Sequence, residues 1–153
     1  MGAPYRARWP MKVSTIISGK HVVTISASSS IHDLVDSLNS NHIGALVVSS
    51  DGKKIDGIVS ERDVVRAMPE KLNQLGEMCV RDIMTVDVHT CTPDSTVSEL
   101  MQMMTQLRIR HVPVVDATGA LISIVSIGDV VKHHVSELDS ERQALRDYVA
   151  SAN

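Results

Sequence analysis

The chain has 153 residues, enough for one domain with an ordinary core. Fifteen Lys and Arg against 18 Asp and Glu leave a net charge of -3, and the aromatic residues are Tyr5, Trp9 and Tyr148 alone. This excludes a basic, aromatic-lined groove for single-stranded nucleic acid and a field that draws the chain to anionic membranes. Apolar runs fall far short of the roughly 20 residues that cross a bilayer, and the N-terminus lacks the apolar stretch of a signal peptide. Cys79 and Cys91 form neither a metal spacing nor a disulfide framework, so a reduced, cytoplasmic setting is expected.

Residues 1–11 carry charge and proline without periodicity and read as a flexible tail. A first unit spans 12–68. In it Ser30-x-x-Asp33 is a capping-box start, and Ile31, Leu34, Val35 and Leu38 make the apolar stripe of a helix. Ala45–Val48 reads as a buried strand, Asp51-Gly52 as a turn, and Ile55–Val59 as the returning strand. A second short helix starts at about residue 61. Residues 69–79, opening on Pro69, read as a linker. A second unit spans 80–135, with Thr96-x-x-Glu99 opening a helix striped by Val97, Leu100, Met101, Met104 and Leu107. Val112–Val115, a Thr118-Gly119 turn, Leu121–Val125 and a helix from about 127 follow. In 136–153, Leu138, Leu145 and Val149 share one face of a terminal helix, which packs either on its own module or on a second copy.

The two units are copies. Adding 66 to positions 14–68 gives a gapless self-alignment on 80–134, with Ile58-Val59-Ser60 on Ile124-Val125-Ser126 and Asp63-Val64-Val65 on Asp129-Val130-Val131. The fold class expected is α/β: two β-α-β-β-α repeats related by pseudo-twofold symmetry, their small sheets face to face and flanked by helices. One repeat alone has a marginal core, whereas two can bury their sheets on each other.

The stretches RDIMT (81–85), IRHVPVVDATGALISIVSIGDVV (109–131) and IGALVVSSDGKKIDGIVSERDVV (43–65) resemble a tandem pair of cystathionine-β-synthase-type (CBS) domains. The family pattern, Gly-hydrophobic-x-Ser/Thr-x-x-Asp, is kept as Gly57, Ser60 and Asp63. In the second copy Ser123 replaces the Gly, and Gly128 stands where Ser or Thr is common and the first copy has Arg62. The resemblance implies a regulatory, non-catalytic module that binds an adenosine ligand (AMP, ADP, ATP, NAD(H) or S-adenosylmethionine) in two unequal clefts between the copies. It also implies a homodimer that signals to a protein target.

A carboxylate accepts from two adjacent hydroxyls, which suits Asp63 and Asp129 to a ribose. Ser60 and Ser126 open helices, whose N-termini favour phosphate. Ser-x-x-Asp is equally a capping box that needs no ligand, and spacing leaves both readings open. By family geometry, the Asp129 cleft uses Arg110 and His111 for phosphate, with Gly128 at the helix start. Ile17, Ser18, Lys20, Ile43, Gly44 and Ala45 surround its adenine. The Asp63 cleft uses Ser60 and Arg62, with Thr85, Val86, Ile109, Arg110 and His111 around the base. Arg108 and Arg110 are otherwise a solvated strand entrance, and Arg62 is otherwise paired with Glu61 or Asp63. The seven scattered His form no metal motif, no catalytic cofactor is implied, and neither a phosphate-binding Gly loop nor a nucleophile elbow occurs. The alternative function is a protein-interaction scaffold with vestigial clefts.

Overall fold

The computed structural model describes residues 11–17, 19 and 21–151. The first repeat contains β1 (Thr24–Ile25), α1 (Ile31–Asn41), β2 (Ala45–Val48), β3 (Gly57–Ser60) and α2 (Glu61–Lys71). The second contains α3 (Val97–Leu107), β4 (His111–Val115), β5 (Leu121–Ser126) and α4 (Ile127–Ser151). β1 runs parallel to β2, and β2 pairs antiparallel with β3 in the register Ala45↔Ser60 to Val48↔Gly57. β4 and β5 repeat that hairpin, His111 opposite Ser126, while the counterpart of β1 shrinks to a single parallel bridge from Cys91 to Val114.

Local chemistry sets the boundaries. Ser30 and Thr96 accept the N–H of Asp33 and Glu99, whose carboxylates accept the cap N–H in return. These bonds hold both carboxyls below the usual range, Ser30 being the main cause for Asp33 and the Thr96 N–H for Glu99. The hairpins turn at Gly52 (φ 75°) and Gly119 (φ 83°), a backbone region glycine enters without strain. α2 runs through Pro69 to Lys71, three residues beyond the expected end at 68, because that side of the helix is exposed. α4 corrects the expectation of two separate helices near 127 and beyond 135: it is one helix of 25 residues.

Two cores form, and each borrows its first segment from the other repeat. Val13 and Ile16 lie in the second core with Leu100, Val112 and Val125, whereas Met78 and Val80 lie in the first with Leu34, Leu46 and Val59. Val13 N–H donates to Ser95 O at 2.8 Å, and Val80 N–H to Ser29 O at 2.9 Å. Val13 and Val80 are completely buried, each stabilising the pair by about 1.5–3 kcal/mol. This exchange ties the halves into one body. Equivalent bridges join Lys12 to Thr96 and Cys79 to Ser30, so the leading segments are offset by one residue more than the hairpins. The self-alignment is therefore not gapless: the first repeat carries one extra residue between its leading segment and β1. Cys91 is buried in the second core, and desolvation pushes its thiol up to about 11, which leaves it an inert packing residue.

Candidate functional site

The hairpins bring each helix start to the strand entrance of the same repeat. Glu61 N–H donates to Gly44 O at 3.1 Å, and Ile127 N–H to Arg110 O at 2.8 Å. The hairpins also touch one another, through Leu121 N–H to Lys53 O at 2.8 Å. Two clefts open at these junctions, one walled by Asp63 with a volume of about 390 Å³ and one by Asp129 with about 360 Å³.

Both Asp residues close capping boxes with the serine three residues before them. Asp63 Oδ2 accepts the Ser60 N–H and Oγ–H, each at 2.8 Å, and Asp129 Oδ2 accepts those of Ser126 at 2.9 and 2.7 Å. Each Oδ1 has no hydrogen bond among the described residues. Capping therefore consumes one oxygen and leaves the other for a donor in the cleft. The same box at Ser30 and Asp33, on neither cleft wall, is the purely structural version.

The Asp63 cleft gathers Ser60, Arg62, Thr85, Ile109, Arg110, His111, Gly44 and Ala45 of the residues expected from sequence. Arg62 pairs with neither Glu61 nor Asp63: its Nη1 donates across the cleft to Arg108 O at 3.2 Å. Arg108 ends α3 with φ 53°. Arg108 and Arg66 line the cleft with Arg62 and Arg110, alongside Glu61, Asp63 and Asp87. Among the described residues none of these four Arg is in an ion pair. Arg62 and Arg66 stand one turn apart on α2, where like charges repel. A positive excess at a helix N-terminus, in a chain of net charge -3, favours an anion.

The Asp129 cleft gathers Ser126, Ile43, Gly44, Ala45 and His111, and adds His21, His42 and Ser123. Its described lining brings no Lys or Arg. Several expectations are corrected. Arg110 faces the Asp63 cleft rather than the Asp129 cleft. Gly128 is on neither wall, Val86 points away with 70% of its surface exposed, and Ile17 packs against the second core. Ser18 and Lys20 lie outside the described residues. Arg66, Asp87 and His89 were missed; a second Arg four residues after Arg62 was the one signal in the sequence.

His111 lies between the two clefts. Its ring rests on Gly44, 3.2 Å from where a Cβ would stand, so any larger residue at 44 would displace it. Desolvation lowers its pKa below the ordinary value; Glu61 and Asp129 oppose the shift and Arg110 reinforces it. Gly57 is required for a different reason: a Cβ there would sit 2.9 Å from Thr85 O. Thr85 and Ile58 exchange both backbone bonds at 2.9 Å, which fixes Thr85 at the cleft. The counterpart Ser123 is buried with its side chain in place.

The CBS-domain family model matches residues 13–70 and 80–136. The chain is a CBS-domain pair. It is 38% identical over 128 residues to the mitochondrial CBS domain-containing protein CBSX3 of Arabidopsis thaliana, covering 81% of this chain and 62% of that protein. Among solved structures, the MJ0100 CBS-domain pair in complex with 5'-methylthioadenosine and S-adenosylmethionine matches at 25% identity and a TM-score of 0.75. The match covers 84% of this chain and 99% of that one. PAE2072 of Pyrobaculum aerophilum, complexed with AMP, matches at 26% identity and a TM-score of 0.70 over 78% of this chain and 89% of that one. No helix among the described residues is long and apolar enough to cross a membrane.

Proposed function

We propose that this CBS-domain pair is a non-catalytic sensor that binds a phosphorylated adenosine nucleotide in the Asp63 cleft and passes the bound state to a protein target. The observation that carries this reading is the Asp63 carboxylate, whose Oδ2 is held by Ser60 while Oδ1 accepts no hydrogen bond among the described residues, in the wall of a cleft lined by four Arg residues. Oδ1 accepts a ribose hydroxyl, and Arg62, Arg66, Arg108 and Arg110 receive the phosphates. Gly44, Ala45, Thr85 and Ile109 flank a base with aliphatic and backbone surface. Relatives whose solved complexes hold AMP, methylthioadenosine or S-adenosylmethionine support the adenosine part.

The Asp129 cleft is the unequal second site. With His in place of Arg, it suits a nucleoside carrying little negative charge. A homodimer is part of the proposal, supported by exposed Val65 and Met68 on α2 and exposed Leu72 just after it. Domain limits of 12–71 and 80–135, a linker at 72–79 and a cytoplasmic setting complete it.

Calorimetry with AMP, ADP, ATP, NAD(H), S-adenosylmethionine and adenosine tests the reading. Binding of a phosphorylated ligand, weakened by salt and removed by Asp63→Ala, is the expected result. No heat with any ligand at millimolar concentration, with target capture intact in Asp63→Ala/Asp129→Ala, would replace the sensor by an interaction scaffold.

A further inference from the structure

Only the first turns of α4 serve the second core, where Val130 is buried. Every described residue from Leu138 to Ser151 is exposed. A helix of that length is marginal in water unless its apolar face is covered. The face is continuous: Val131, Val135, Leu138, Leu145 and Val149 are 51–67% exposed and lie alternately four and three residues apart, with Arg142 filling the one gap. In heptad terms Val135, Arg142 and Val149 take position a, and Val131, Leu138 and Leu145 take position d. Leu138, Arg142, Leu145 and Val149 line a shallow groove edged by Glu141 and Arg146.

We propose that α4 pairs with α4 of a second copy in a parallel, in-register, two-stranded coiled coil. Valine at a with leucine at d selects two parallel strands, and a single polar residue at a fixes register. The flanking charges choose the same arrangement. In a parallel pair each g residue meets the following e residue of the other helix. Glu141 then meets Arg146 of the second copy, and His134 meets Asp139, twice each by symmetry. Arg142 reaches the same Glu141 beside the seam. The opposite face, with Ser140, Gln143, Ala144 and Asp147, carries no leucine, valine or isoleucine.

Cysteine cross-linking of the full chain reads this contact independently of any nucleotide. Oxidised Leu145→Cys should give a covalent dimer on a non-reducing gel. Ala144→Cys, one position round the helix, and the parent chain with Cys79 and Cys91 should not. Equal cross-linking at 144 and 145, or none at 145, overturns the proposal. Sedimentation tests the polarity. Leu138→Asp/Leu145→Asp should weaken self-association by more than about tenfold. Glu141→Arg should weaken it, and Glu141→Arg/Arg146→Glu should restore it. Failure of that exchange to restore association overturns the parallel register.

Discussion

Asp33 and Asp63 offer a matched pair for separating a cap from a ligand group. Each carboxylate accepts the N–H and hydroxyl of the serine three residues before it: Asp33 at 3.2 and 2.7 Å, Asp63 at 2.8 and 2.8 Å. Only Asp63 lines a cleft. Alanine at either position removes the carboxylate half of a capping box, a loss of about 0.5–1.5 kcal/mol, or roughly 1–6 °C in Tm for a chain of this size. A nucleotide at 100 times its Kd adds about 2.7 kcal/mol to the native state, roughly 5–10 °C. Differential scanning fluorimetry with and without AMP and ATP therefore gives two numbers per variant. The unliganded Tm should fall in both. The nucleotide-induced rise should survive in Asp33→Ala and vanish in Asp63→Ala. An undiminished rise in Asp63→Ala would refute the assignment of its free oxygen to the ribose.

Other outcomes follow from the same geometry. Gly57→Ala, pressed against Thr85 O, should cost about 1–3 kcal/mol in urea unfolding, whereas Ser123→Gly should show no such clash being relieved. Arg108→Gly relaxes a residue held at φ 53° and should raise stability by about 1 kcal/mol while weakening ATP. It leaves the Arg62 bond intact because that bond uses the carbonyl of residue 108. Arg66→Gln should weaken ATP by about tenfold, roughly one charge-assisted hydrogen bond, and change adenosine little; equal losses would argue against phosphate contact. His111 has a folded pKa below its unfolded value, so the native state binds fewer protons. Its contribution is present above about pH 6.5 and is lost as the pH falls below that value. Asp33, Asp51, Asp94, Glu99 and Asp116, whose pKa values are also lowered, act only in more acid solution. Thermal melts between pH 5 and 7.5 should thus lose their slope in His111→Gln.

What the sequence made legible was local. The duplicated Ser-x-x-Asp steps, the apolar stripes of α1 and α3 and the Gly turns each depend on neighbours within a few residues, and each stands where its spacing put it. The exchange of Val13 and Val80 between cores is a long-range contact with no local signature. The extra residue before β1 was hidden because Ile17 aligns with Ile83 equally well in the wrong frame. For the site, Ser60 ends β3, Asp63 follows in the first turn of α2, and Thr85 is held at the cleft by its paired backbone bonds with Ile58 of β3. Val86, the next residue, turns outward. Arg110 lines only the Asp63 cleft, while its carbonyl accepts the Ile127 N–H at the start of α4. His111, which the family resemblance assigned to both clefts, lines both.

A crystal structure of the chain grown with ATP would locate the nucleotide relative to Asp63. The nucleotide should lie in the Asp63 cleft, with a ribose hydroxyl within hydrogen-bond distance of Asp63 Oδ1 and phosphates among Arg62, Arg66, Arg108 and Arg110. ATP bound only beside Asp129, or an Asp63 cleft left empty at saturating ATP, would contradict this placement.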